Sequence, residues 1–162
     1  MKNQLSELAL QVQQEFIARH YTLSCAESCS GGLLSSLFTE HSGASDYFKA
    51  GLITYSNFAK SKFLDLSPEL ILKEDAVSHV VAKLMAEKCK SICQTDVAIS
   101  ITGIAGPKGD EQTNDVGLVY IGLSYKAIAE VERFHFEGDR EAIRVQSCHA
   151  ALNVILKNIR DY

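Results

Sequence analysis

Through its first hundred residues the chain alternates segments of helical periodicity with short, nearly uncharged apolar runs, and then sets two β-rich runs side by side. Strands separated by helices pair in parallel, because each crossover returns the chain to the same end of the sheet; strands joined by a few residues pair antiparallel. The pattern therefore predicts an α/β fold, a three-layer α/β/α sandwich around a mostly parallel, mixed sheet of about five strands. Residues 3–19 space Leu5, Leu8, Val12 and Phe16 three and four apart, which marks an amphipathic helix. Residues 21–26 read as a strand, 28–32 as a small-residue turn, and Leu33, Leu34, Leu37 and Phe38 as the apolar side of a helix. After the Ser42-Gly43 break come a strand over 50–55, a helix over 56–64 carrying Lys60 and Lys62, and a chain break at Pro68. Ser78 is placed to cap a helix reaching Cys93, with Val81, Leu84, Met85 and Ile92 on one side, and 96–101 is a buried strand. A charged loop over 108–115 leads to runs over 116–125 and 128–136, which predict a hairpin, and a helix after Asp139 ends the pattern.

At 162 residues the chain has the size of one domain, so 1–162 is expected to form a single unit. Its longest apolar runs fall short of the roughly 20 residues a membrane helix needs, and the N-terminus lacks the apolar stretch of a secretory signal. A cytoplasmic location follows as the expectation. Sixteen Lys and Arg against twenty Asp and Glu leave a net charge of −4, which offers no general field for a phosphate backbone and argues against nucleic-acid binding. Cys25, Cys29, Cys89, Cys93 and Cys148 are odd in number and lack CxxC spacing, so they read as free thiols rather than disulfides or zinc ligands. The five histidines form neither an HxH nor an HExxH pattern. No metal and no cofactor are expected.

In open α/β folds ligands bind beyond the carboxyl ends of the strands. Three segments fall there: the turn after the first strand, residues 55–60 after the second, and 102–107 after the third. Glycines in them permit close approach to the backbone, and free N–H groups can meet an anion or an oxyanion. A serine nucleophile in the first turn needs a base, and with no histidine in the pattern Lys60 is the best candidate. A lysine of ordinary pKa is neutral only about 0.04% of the time at pH 7, so such a base must be desolvated or set beside another cation. Tyr55, at the strand end, is placed to orient that lysine or relay a proton, or else simply packs. Arg140 and Arg144 stand one helical turn apart and suit a phosphate or carboxylate, with pairing to Glu137 or Glu141 as the plainer alternative.

Five segments, AESCSGG (26–32), GASDYF (43–48), YSNFAK (55–60), ITGIAGPKG (101–109) and EGDREAIR (137–144), together resemble the CinA C-terminal domain family, the nicotinamide-nucleotide amidohydrolase or NMN deamidase family. The resemblance runs in order over nearly the whole chain. It implies a three-layer α/β/α domain in stand-alone form that hydrolyses nicotinamide mononucleotide to nicotinate mononucleotide and ammonia. Motif by motif it implies Ser28 as nucleophile, with Ser30 as the alternative, assisted by Lys60 and Tyr55. Ser30, Gly31, Gly32, Thr102, Gly103, Arg140 and Arg144 would shape the substrate pocket, with the N–H groups of 30–32 receiving the oxyanion. The implied partner is a small-molecule nucleotide, and association into a homo-oligomer is left open. A non-catalytic nucleotide-binding or regulatory module, and an amidohydrolase of another pyridine nucleotide, are the competing readings. The chain departs from the family pattern at Ser30, usually threonine, at Ala50, at Glu74-Asp75 and at Thr113-Asn114-Asp115.

Overall fold

Burial of three strands on both faces decides the layering. The computed structural model describes residues 2–109 and 115–160, so residues 110–114 of the charged loop lie outside the described residues. Strands β1 (Leu23–Glu27), β3 (Val97–Gly103) and β4 (Leu118–Tyr125) are buried along almost their whole length and need cover on both sides. The sheet order is β2-β1-β3-β4-β5, with β2 (Phe48–Ile53) and β5 (Ile128–His135) at the edges. β1 runs parallel to β2 and β3, while β3, β4 and β5 pair antiparallel. The predicted hairpin and mixed five-stranded sheet are both present.

On one face α1 (Lys2–Arg19), α2 (Leu33–Phe38) and α6 (Arg140–Arg160) bring Val12, Phe16, Leu34 and Ile155 into one core with Leu23, Ile99 and Ile121 of the sheet. On the other, α3 (Asn57–Leu64), α4 (Pro68–Glu74) and α5 (His79–Cys93) pack Leu64, Ile71, Val81 and Met85 against Ala26 and Ala98. Small residues on this second face let α5 come close. The Ser100 hydroxyl donates to the Ala82 carbonyl at 2.6 Å, and a Cβ at Gly122 would stand 2.4 Å from that same oxygen. Among the described residues no helix is long and apolar enough to cross a membrane.

The chain leaves β1 through α2 on one face and returns as β2; it leaves β2 through α3, α4 and α5 on the other face and returns as β3, on the opposite side of β1. A crevice therefore opens between the C-terminal ends of β1 and β3, the switch point at which open α/β sheets hold ligands.

Two expectations are corrected. Pro68 starts a helix rather than breaking the chain: it occupies the first turn of α4, where a missing N–H costs nothing, behind the Ser67 side-chain cap. Ile92 is half exposed rather than buried: it falls between Val81 and Met85 around the helix, but it stands in the last turn of α5, whose buried residues end at Cys89. The Ser78 cap forms, its hydroxyl accepting from Val81 N–H at 3.2 Å. Since α5 touches the sheet backbone at Gly122, Gly122→Ala is expected to destabilise the fold by about 3 kcal/mol and lower Tm by roughly 5–10 °C. Thermal denaturation of the variant checks this.

Candidate active site

β1 ends in a buried carboxylate. Glu27 has no exposed surface, and its Oε2 accepts the N–H groups of Gly32 and Leu34, both at 3.1 Å. Its Oε1 accepts the Ser35 N–H at 2.8 Å and the Ser35 hydroxyl at 2.6 Å. The N-cap of α2 is Gly32, which has no side chain to offer, so Glu27 caps the helix from the preceding strand. The turn between them needs Gly31 and Gly32 at φ of 59° and 96°, where a Cβ would be strained. Ser28 opens this turn, its N–H bound to the Ile101 carbonyl of β3 at 3.0 Å. Its side chain thereby sits at the mouth of the switch-point crevice.

Lys60 arrives from the neighbouring connection, one turn into α3, behind the Ser56 cap. It is 1% exposed. Its Nζ lies 2.9 Å from Ser28 Oγ, 2.9 Å from the Thr54 carbonyl and 3.4 Å from the Tyr55 carbonyl. Among the described residues no carboxylate pairs with it. Burial accordingly lowers its pKa from 10.5 to about 8, against a weak opposing pull from Cys29. That raises the neutral fraction at pH 7 from below about 0.1% to about 10%. The amine donates to all three neighbours, and the Ser28 hydroxyl in turn donates to the Tyr55 carbonyl at 3.4 Å; a neutral amine would keep two N–H bonds for the carbonyls and have a lone pair for the Ser28 hydroxyl.

Ser28, Cys29, Tyr55, Lys60, Thr102, Gly103 and Arg140 line one cavity of about 270 Å³, joined by Asn57 and Lys108. The expected residues do not all make the expected contacts. The Tyr55 side chain is 57% exposed and its hydroxyl accepts from Arg140 at 3.0 Å. What Tyr55 presents to Lys60 is its backbone carbonyl, so the expected hydroxyl–lysine contact is absent. Arg140 also donates to the Gly106 carbonyl at 2.7 Å, tying α6 to the loop after β3. Arg144 donates to the Ser30 carbonyl at 2.8 Å and lines a second cavity of about 700 Å³ between α2 and α6, which shares Arg140 with the first but is not lined by Ser28. The Thr102 hydroxyl is spent on the Ala76 carbonyl at 2.7 Å. Glycine at 103 answers to β4, since a Cβ there would meet the Leu118 carbonyl oxygen at 2.8 Å.

The oxyanion assignment also changes. The N–H groups of Gly31 and Gly32 are bound to the Ser28 carbonyl and to Glu27, so those of Cys29 and Ser30 are the ones in the turn that meet no backbone acceptor among the described residues. Ser30 Oγ is fully buried and has no hydrogen-bond partner among the described residues, leaving Ser28 as the serine in contact with Lys60. All five cysteines are free thiols, and burial pushes Cys29 up to about 11 and raises Cys25 and Cys148 well above the usual thiol value. Among the described residues no group of three His, Cys, Asp or Glu could hold a metal. The Glu27 network went unread in the sequence, although a lone carboxylate in a buried strand just before a glycine turn was its visible signal.

The fold and this cavity define an open α/β protein with its pocket at the switch point of a mixed sheet. The chain belongs to the CinA C-terminal domain family, whose sequence profile matches residues 5–159. It is 48% identical over 143 residues to a Moorella thermoacetica relative described as a competence-damage inducible protein, covering 88% of this chain and 34% of that one. A CinA-like protein of Geobacter sp. is 45% identical over 132 residues, covering 82% and 32%. The chain thus spans about a third of the length of these relatives. Among solved structures, a CinA superfamily protein of Klebsiella pneumoniae superposes with a TM-score of 0.94 at 29% identity, covering 98% of this chain and 99% of the other. One from Escherichia coli gives 0.91 at 32% identity, covering 94% and 88%.

Because Tyr55 meets Lys60 only through its backbone, Tyr55→Phe is expected to leave the Lys60 pKa near 8. NMR titration of side-chain-labelled lysine checks this, and a shift above about one unit, or 1.4 kcal/mol, would show that the hydroxyl acts on the amine after all.

Proposed function

We propose that the chain is an amidohydrolase that converts nicotinamide mononucleotide to nicotinate mononucleotide and ammonia, with Ser28 as nucleophile and Lys60 as base. The observation that carries this reading is the 2.9 Å contact between Ser28 Oγ and a buried lysine whose pKa is lowered to about 8. Membership of the CinA C-terminal domain family supports it, as does the resemblance of the five sequence segments to the nicotinamide-nucleotide amidohydrolases. Neutral Lys60 takes the Ser28 proton as Oγ attacks the carboxamide carbon. The oxyanion forms within reach of the Cys29 and Ser30 N–H groups, fixed in place before the reaction begins. The Lys60 ammonium then returns its proton to the departing nitrogen, ammonia leaves, and an ester to Ser28 remains. Water, deprotonated by Lys60, cleaves that ester and restores the hydroxyl. No step needs a metal or cofactor.

Arg140 stands at the rim of the pocket with guanidinium N–H groups beyond the two already spent, and Lys108 lies on the same wall. We assign the nucleotide phosphate to this rim. Arg144 serves the turn by holding the Ser30 carbonyl. The two arginines should therefore separate kinetically. Arg140→Ala raises KM for the nucleotide by about 10- to 100-fold, the worth of a charge-assisted hydrogen bond, and changes KM for nicotinamide riboside little. Arg144→Ala lowers kcat on both substrates. Steady-state kinetics on the two variants decides it, and equal KM effects on nucleotide and riboside for Arg140→Ala would move the phosphate elsewhere.

The reading is tested by ammonia release from nicotinamide mononucleotide by the purified chain and by Ser28→Ala, which is expected to be inactive but folded. A chain that binds the nucleotide without steady ammonia release would be a nucleotide-binding module instead. The rate of the active enzyme rises with pH through about 8, since the deprotonated amine is the working form. Lys60→Arg, whose guanidinium keeps its proton, loses activity by about 1,000-fold or more. A fully active Lys60→Arg would reduce Lys60 to a fixed positive charge.

A further inference from the structure

Glu27 lies outside the chemistry just described, yet it is a fully buried acid bound to the turn that carries the proposed nucleophile. Besides a long contact from the Cys25 thiol at 3.9 Å, it accepts four hydrogen bonds, from Gly32, Leu34 and Ser35, and no arginine or lysine pairs with it among the described residues. Three of the four are backbone N–H groups at the start of α2, groups that in a strand–turn–helix site would otherwise face a bound anion. Here they are held by an internal carboxylate instead, and the positive end of the helix is already compensated. Two other ties act on the same turn. The Glu27 carbonyl accepts from Thr54 N–H at 2.8 Å, next to the Thr54 carbonyl that Lys60 binds. Arg144 holds the Ser30 carbonyl from the opposite side at 2.8 Å.

We infer that Glu27 is a positioning residue for the proposed reaction: its carboxylate draws the start of α2 onto β1 and so sets the Ser28 hydroxyl against Lys60 and the Cys29 and Ser30 N–H groups toward the carbonyl under attack. The inference rests on the reading of Ser28 as nucleophile. Ser35 is part of the same device, since its hydroxyl bonds Glu27 while a Cβ at Gly51 would stand 2.1 Å from it. β2 is thereby packed on the residue that anchors the turn. Asp at 27 would keep the charge but fall short of the N–H groups; Gln would turn an amide N–H₂ toward N–H donors, which cannot bond it. Because the device acts on the nucleophile and not on the substrate, its loss appears in kcat and in the reactivity of Ser28, with KM and the Lys60 titration left in place.

The test uses the whole chain and a fluorophosphonate probe, which needs no knowledge of the substrate. Ser28 Oγ forms a bond to phosphorus, the P–F bond breaks, fluoride leaves, and the serine proton passes to Lys60. Glu27→Gln is expected to slow labelling of Ser28, and kcat for ammonia release, by about 100-fold, the scale of a displacement near 1 Å at a reacting atom. KM stays within about threefold, the pH midpoint stays near 8, and Glu27→Asp falls between Gln and the parent. Ser35→Ala, which removes one bond of the four, is expected to slow both by about tenfold and carries the test if Glu27→Gln does not fold. Val12→Ala, a cavity variant in the core beneath α1, is the stability control: it lowers Tm and keeps the parent labelling rate. If Glu27→Gln or a folded Ser35→Ala labels at the parent rate, or slows only as Val12→Ala does, Glu27 is structural and the proposal fails while the Ser28 reading stands. If the parent chain itself is not labelled at Ser28, the nucleophile assignment fails and this inference with it.

Discussion

A carboxylate cannot be left unpaired in a protein interior, and in this chain that constraint organises the site. Glu27 is buried at the end of β1, and the donors that satisfy it are the first N–H groups of α2. The helix therefore has to begin where it does, the glycines at 31 and 32 have to take left-handed backbone to let it, and Ser28 is left where the turn opens on the crevice. Every element of the pocket refers back to this arrangement. Thr54 ties β2 to the Glu27 backbone, and the Thr54 carbonyl then holds Lys60. A single charge placed inside the fold thus orders two connections from two different strands.

Most of the fold was legible in the sequence because its signals are local. The spacing of Leu5, Val12 and Phe16 marks α1, the serines at 56 and 78 mark helix starts by the oxygen they offer, and two β-rich runs with a short link mark β4 and β5. Pro68 was misread because a proline behind a serine signals either a break or a first helical turn, and only the packing of Ile71 decides between them. Ile92 shares the stripe of Val81 and Met85 but stands at its end, in the last turn of α5, and a periodicity does not tell where the cover on a helix face stops.

The site was legible to a different depth. Ser28 and Lys60 lie 32 residues apart, and their contact follows from knowing that two neighbouring parallel strands end side by side. What the sequence hid is the direction each group faces. The Tyr55 hydroxyl points to Arg140 while its carbonyl points to Lys60, and Arg144, a turn beyond Arg140, reaches the turn that carries Ser28. Backbone groups carry much of the polar work here, and a carbonyl or N–H has no letter of its own in a sequence. The N–H groups of Gly31 and Gly32 are an example: glycine suggests an open cradle, but both donors are already engaged.

The depth at which Lys60 sits carries a cost for the fold as a whole. An unfolded chain holds that amine in water with a pKa near 10.5, whereas in the folded chain it is about 8. The folded state therefore binds its proton less tightly than the unfolded state, and below pH 8 it is less stable by up to about 3 kcal/mol than it would be with an ordinary lysine there. That deficit shrinks as the medium becomes more alkaline and is gone above the unfolded pKa. An apolar side chain of similar length at position 60 would remove the deficit and the proposed base together. Selection for thermal endurance and selection for the proposed reaction would thus pull this one position in opposite directions, and a hot environment would have to find its extra stability elsewhere in the molecule.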